Sequence, residues 1–155
     1  MPAQNLLTKV LRVSRDLNTG FDAQMKSLGL TSARARVMLL LARNPEGVSQ
    51  GTVTETLDVE HPTAVRILDG LEGLGYIARQ PAAHDRRAKQ IVLTPIGRPI
   101  ADQVEVLTLS LNSILLDGID DDAVRATNLV LDTLIARMAD LRSSRLSGPM
   151  VEDMS

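Results

Sequence analysis

A chain of 155 residues, 44% hydrophobic and with a formal net charge of −2, can hold one ordinary domain, or a small one with helical additions, and is too apolar to be disordered. With no cysteine and two histidines, it excludes disulfides, thiolate metal sites, catalytic thiols, cysteine redox switches and multi-histidine metal centres. No apolar run approaches the ~20 residues that span a bilayer, and the N-terminus lacks a secretory apolar core, so the expectation is a cytoplasmic protein with no membrane association.

Residues 6–28 place Leu6, Val10, Val13, Leu17, Phe21, Met25 and Leu28 at three- and four-residue steps, which predicts a long helix with one apolar face, interrupted only by Gly20. Thr31 is the N-cap of a second helix carrying Val37, Met38, Leu40 and Leu41, and Asn44-Pro45-Glu46-Gly47 ends it. Ser49 caps a short helix running to about Leu57. After the tight connection Asp58-Val59-Glu60 another helix starts, with Pro62 in its first turn and Gly75 at its stop. It runs to about Leu74 and buries Val65, Leu68 and either Leu71 or Leu74. Two short helices so joined make a helix–turn–helix.

A strand at 76–80, a loop at 81–84 and a returning strand at 89–93, with Ile91 and Leu93 on one face, predict a β-hairpin wing. A second long helix follows Thr94-Pro95, with Ile96, Ile100, Val104, Leu107, Leu111 and Ile114 on one side. Asp117-Gly118 breaks it. Asp120, Asp121 and Asp122 open a last helix, where acidic groups suit the N-terminal dipole; it carries Val124, Leu131, Leu134, Met138 and Leu141 before a mobile polar tail.

The fold class is therefore mainly α with a small β-hairpin wing. A winged helix–turn–helix at residues 30–95 is flanked by dimerisation helices at 1–29 and 96–142, with a flexible tail at 143–155. A core domain of about 65 residues cannot cover three long apolar faces, and two-fold pairing is the commonest way to bury them. An intramolecular bundle is the plainer alternative. Two recognition helices in a dimer would read an inverted repeat with half-sites about 34 Å apart.

Residues 61–98 carry six Lys/Arg against three Asp/Glu, whereas residues 99–155 carry four against ten. An acidic C-terminal third hides a basic middle, and for a polyanionic partner the distribution matters more than the sum. The segment His84-Asp85-Arg86-Arg87-Ala88-Lys89 puts three cations at and just past the wing tip. Arg86 and Arg87 could reach phosphates or a narrow minor groove. Lys89 and Arg79 would broaden the positive field, and Asp85 would orient a neighbouring arginine through a charge-assisted bond. On the recognition helix, His61, Pro62 and Thr63 lead in, and Arg66 could contact a guanine edge; a solvated Arg66 paired with Asp69 or Asp58 is the plainer alternative. Ser49, Gln50 and Thr52 are placed to meet phosphate or serve simply as caps.

No nucleophile–base pair or phosphate-binding glycine loop can be assembled. His84 and Asp85 are too few for a metal, and Gly70, Gly73 and Gly75 fall in a helix and at its end. The expectation is a DNA-binding protein without catalysis, metal or cofactor. A winged helix serving as a protein-interaction module, its basic wing docking an acidic partner, stays open beside it.

The helix pair, the segment Glu60-His61-Pro62-Thr63-Ala64-Val65-Arg66-Ile67-Leu68-Asp69-Gly70-Leu71-Glu72, and the wing pattern Asp85-x-Arg87 followed by Leu93-Thr94 resemble the MarR family of winged helix–turn–helix transcriptional regulators, in particular its SlyA-like branch. The resemblance spans nearly the whole chain. It implies a homodimer on a pseudo-palindromic operator, Arg87 in the minor groove steadied by Asp85, and Arg66 in the major groove. It implies a repressor, or else a ligand-independent anti-silencing activator that displaces other DNA-bound proteins. It also implies a small aromatic or carboxylic effector, held in a cleft beside the dimer helices, that loosens DNA binding. The chain departs from the family pattern at Asp58, where a glycine is common, and at Gly70 and Gly73, which soften the recognition helix. With one Phe and one Tyr, the cleft would be aliphatic, with Arg12, Arg15 or Arg34 as carboxylate partners.

Overall fold

The order of elements follows from the start and stop chemistry of the chain. The computed structural model describes residues 2–146, with side chains from 5 to 144, in two units, residues 1–112 and 113–155. The elements are α1 (Pro2–Met25), a 3₁₀ turn (Lys26–Leu28), α2 (Ser32–Arg43), α3 (Gln50–Leu57), α4 (His61–Gly73), β1 (Ile77–Pro81), β2 (Lys89–Leu93), α5 (Gly97–Leu116) and α6 (Asp121–Leu146). Among the described residues, no helix is long and apolar enough to cross a membrane.

In the first unit the caps are made by the predicted residues. The Thr31 side chain accepts from the Arg34 N–H at 3.3 Å, and Ser49 Oγ accepts from the Thr52 N–H at 3.1 Å. Asp22 on α1 supports the same helix start as Thr31: its carboxylate accepts the Ser32 N–H at 2.8 Å. That backbone bond, reinforced by the Ser32 side chain, holds the Asp22 pKa below its ordinary value. Arg36 donates to the Thr56 carbonyl at 3.3 Å, covering an orphan acceptor in the last turn of α3. Helix α3 ends on Asp58 at φ +51, a left-handed conformation that Asp tolerates better than most side chains. Helix α4 ends on Gly75 at φ +76, with the Gly75 N–H on the Glu72 carbonyl and the Tyr76 N–H on the Leu71 carbonyl, the bond pair of a Schellman stop.

The core gathers Met25 of α1, Leu30, Ala35, Val37, Met38 and Leu41 around α2, Val53 and Leu57 of α3, Leu68 and Leu71 of α4, Ile77 and Ile91 of the wing, and Ala101 and Val104 of α5. Each large aliphatic side chain so buried contributes about 1.5–3 kcal/mol relative to exposure. The flanking helices α1 and α5 thus supply core residues to the helix–turn–helix. Between the two candidates for the last buried position of α4, Leu71 is buried and Leu74 is 46% exposed. Val65, expected in the core, is half-buried, and Ala64 beside it is fully covered.

Strands β1 and β2 pair antiparallel, with Ile77 opposite Leu93, Arg79 opposite Ile91 and Pro81 opposite Lys89. The wing has a third member that the sequence pattern does not show. Val48, just before α3, exchanges both backbone hydrogen bonds with Ile91, at 3.0 and 2.8 Å. Beside it Gly47 sits at φ +95, and a Cβ there would meet the Ile91 carbonyl oxygen at 2.9 Å. At the wing base, Thr94 donates its hydroxyl to the Gly75 carbonyl and accepts the Gly97 N–H at 3.0 Å. Gly97 lies so close to the Tyr76 carbonyl that a Cβ would overlap it. Ile96, expected on the buried face of the following helix, precedes α5 and is 65% exposed.

In the second unit, Gly118 at φ +74 closes α5, and Asp120 caps α6 by accepting the Ala123 N–H at 3.1 Å. Leu129, Val130, Ile135, Met138 and Leu141 are exposed on α6. The helix continues to Leu146, past the expected boundary of the tail at Ser143; residues 147–155 of that tail lie outside the described residues.

Candidate nucleic-acid interface

The first unit carries three polar groups, at the start of α3, the start of α4 and the wing tip, and joins the first two by a side-chain contact. His61, Pro62, Thr63 and Arg66 all lie exposed on α4. Among the described residues Arg66 has no ion pair; Asp69, one of its possible partners, is held by Arg79. Glu60 provides no side-chain cap to α4, so the helix begins without a carboxylate folded over its N–H groups. At the start of α3, Ser49 and Thr52 are occupied with each other, their hydroxyls 3.0 Å apart and the Thr52 N–H on Ser49. Gln50 reaches across to α4, its amide nitrogen 3.3 and 3.4 Å from the two ring nitrogens of His61. This link between the helix starts was not visible in the sequence, where the two residues stand eleven apart.

Arg86, Arg87 and Lys89 are exposed at and beside the wing tip and, among the described residues, have no ion pair. The tip is closed by three bonds: Ala82 N–H to the Ala88 carbonyl at 2.8 Å, Ala88 N–H to the Asp85 carbonyl at 3.1 Å, and Arg87 N–H to the Asp85 carboxylate at 2.9 Å. Asp85 therefore shapes the turn through the backbone of Arg87, whereas the sequence suggested a grip on an arginine side chain.

Arg79 occupies a different place from the other cations. Opposite Ile91 in the ladder, it shares that residue's core-facing side of the hairpin, and it is half-buried. Its guanidinium donates to Asp69 at 2.8 Å and also to Glu72, both on α4. Burial pulls the Arg79 pKa down, but the hydrogen bonds to the two carboxylates outweigh this and raise it above the ordinary value.

The three arginines considered for an effector are not brought together. Arg12 and Arg15 sit exposed on α1 near Asp16, at 3.7 and 3.8 Å. Arg34 is half-buried, its guanidinium lying against α4 where Gly70 has no side chain; a Cβ on Gly70 would overlap it. Gly70, noted in the sequence only as a softening of the helix, is the seat for that group. An apolar groove of about 350 Å³ runs along Ser27, Leu28, Asp102, Gln103, Val106 and Leu107, and none of the three arginines lines it.

The arrangement is that of known regulators. A sequence model of the MarR family matches residues 28–88, the helix pair and the wing up to its tip. The transcriptional regulator PA3341 is 35% identical over 87% of this chain and 98% of its own, with a TM-score of 0.82. CouR from Rhodococcus jostii RHA1, solved bound to p-coumaroyl-CoA, is 24% identical over 85% and 92% of the two chains, with a TM-score of 0.79. MepR of S. aureus, solved as a DNA complex, is 18% identical over 83% and 93%, with a TM-score of 0.75. On the matched segment, the full-length likeness and the helix pair with its wing, this chain belongs to the MarR family of DNA-binding transcriptional regulators.

Proposed function

We propose that the chain works as a homodimeric repressor of an inverted-repeat operator in the cytoplasm. In this reading α4 enters the major groove with His61, Pro62, Thr63 and Arg66, and the wing carries Arg86, Arg87 and Lys89 to the flanking phosphates and minor groove. Ser49, Gln50 and Thr52 at the start of α3 meet the backbone. The observation that carries the reading is the set of exposed cations on α4 and the wing tip that, among the described residues, have no ion pair and that lie in one unit. MepR, which shares the fold, is known as a DNA complex.

Residues 1–29 and 96–142 are the dimerisation segments. Leu6, Leu7, Leu11, Val13 and Leu17 of α1 are exposed, as are Ile135, Met138 and Leu141 of α6, and surfaces of that kind on soluble proteins mark interfaces. The effector is a small carboxylic or aromatic acid. CouR shows that the fold can hold an aromatic acyl thioester, and Arg34, lying against α4, is the arginine best placed to pass its occupancy to the recognition helix.

The test is selection of duplexes from a randomised pool by the purified protein, followed by footprinting of the winners. An inverted repeat with half-sites one helical turn apart supports the reading. A protein that stays monomeric and retains no duplex at low salt overturns it.

A further inference from the structure

Asp69 and Glu72 stand three apart on α4, and so on one face; Arg79 stands in the middle of β1. The two carboxylates are largely exposed, 60% and 45%, while the Arg79 side chain between them and the hairpin is 22% exposed. Isolated surface ion pairs contribute little to stability. This pair of bonds differs in being two-pronged, one guanidinium reaching two carboxylates less than a turn apart through separate nitrogens of a rigid fork, which the single ammonium of lysine lacks. A two-stranded hairpin is marginal alone. Its base here is fixed by Thr94 and the middle of β2 by the Val48–Ile91 bridge, and Arg79, opposite Ile91 on β1, adds a side-chain tie to the exposed side of the recognition helix.

We infer that Arg79, Asp69 and Glu72 form a positioning clamp that sets the angle between wing and recognition helix, so that two carboxylates favour the binding of a polyanion. The inference rests on the DNA-binding reading above. It assigns Arg79 to geometry instead of to the positive field, and the two roles predict opposite signs. Removing two negative charges beside DNA strengthens binding if only the field matters. Removing them weakens binding if the wing is thereby released.

The experiment measures fluorescence anisotropy of the full chain on a duplex selected by the parent protein, across a salt series, for Arg79→Ala, Arg79→Lys and the near-isosteric pair Asp69→Asn with Glu72→Gln. The clamp predicts that all three weaken binding to the selected duplex, by roughly two- to thirtyfold, with the salt slope unchanged. It also predicts that lysine fails to rescue. Tighter or equal binding by the Asp69→Asn, Glu72→Gln variant, rescue by Arg79→Lys, or a salt slope lowered by about 0.9, one phosphate's worth, in Arg79→Ala overturns it. A second readout needs no DNA. Amide hydrogen exchange at Ala82 and Ala88 should quicken in the double variant while α4 keeps its protection, and unchanged exchange there overturns the clamp. A parent protein that selects no duplex removes the DNA-binding reading itself, and the exchange data then decide the tie between wing and helix.

Discussion

The Asp85 carboxylate accepts the backbone N–H of Arg87 at 2.9 Å, so the acid beside the wing-tip arginines builds the turn that presents them. Asparagine can accept the same bond. Asp85→Asn should therefore bind duplex DNA as well as the parent or better, having shed a negative charge, while Asp85→Ala should lose about 0.5–1.5 kcal/mol of turn stability with weaker binding. Anisotropy titrations of the two variants decide it. Equal loss in both would restore a direct grip on a guanidinium.

Arg66 and Arg87 should fail differently. Arg66→Ala is expected to cost about 1–3 kcal/mol and relax preference at one position of each half-site. Arg87→Ala should weaken binding to all duplexes and lower the salt slope by about 0.9. Affinities on single-base operator variants at several salt concentrations separate the two.

Two glycines, Gly97 at the start of α5 and Gly70 inside α4, should respond with opposite severity. At Gly97 the added methyl meets the Tyr76 backbone carbonyl, which the Thr94 N–H also holds at 3.1 Å, so Gly97→Ala should destabilise strongly, by about 3 kcal/mol or more. At Gly70 the obstacle is the far end of the Arg34 side chain, which can swing away, and alanine gains up to about 1 kcal/mol of helix propensity. Gly70→Ala should be near neutral or stabilising in urea unfolding. A large loss there would mean that the Arg34 seat matters to the core.

The Asp22 carboxylate gives a pH signature. Its folded pKa lies below the ordinary 3.8 because it accepts the Ser32 N–H. A group depressed on folding stabilises fully above its unfolded value, and that contribution is lost as the pH falls through the lowered folded one. Stability curves between neutral pH and about pH 3 should fall more steeply for the parent than for Asp22→Asn. Parallel curves would remove Asp22 from the account.

Much of the architecture could be read from punctuation along the chain. Thr31, Ser49, Asp120 and Gly75 mark helix ends by local chemistry, and local chemistry survives folding. Periodicity alone left Leu71 and Leu74 as equivalents, because they lie three apart on one face and only the neighbouring elements choose between them. The Val48–Ile91 bridge gave no signal, since one extended residue before a cap has no alternation to detect. Arg79 looked like the other cations because its partners stand seven and ten residues away on another element. At the candidate interface the residue types were readable, and their division into exposed cations and a paired one was not.

Ile91 makes both of its backbone hydrogen bonds with Val48 while facing Arg79 of β1 across the ladder, so the edge of β2 that faces away from β1 is covered at its midpoint. A stray chain seeking to extend the sheet would find that edge interrupted, and on the other flank the outer side of β1. That side is five residues long and finishes in Pro81, which has no N–H to offer. The same stitch that anchors the wing thus guards a basic, exposed hairpin against amyloid-like self-association.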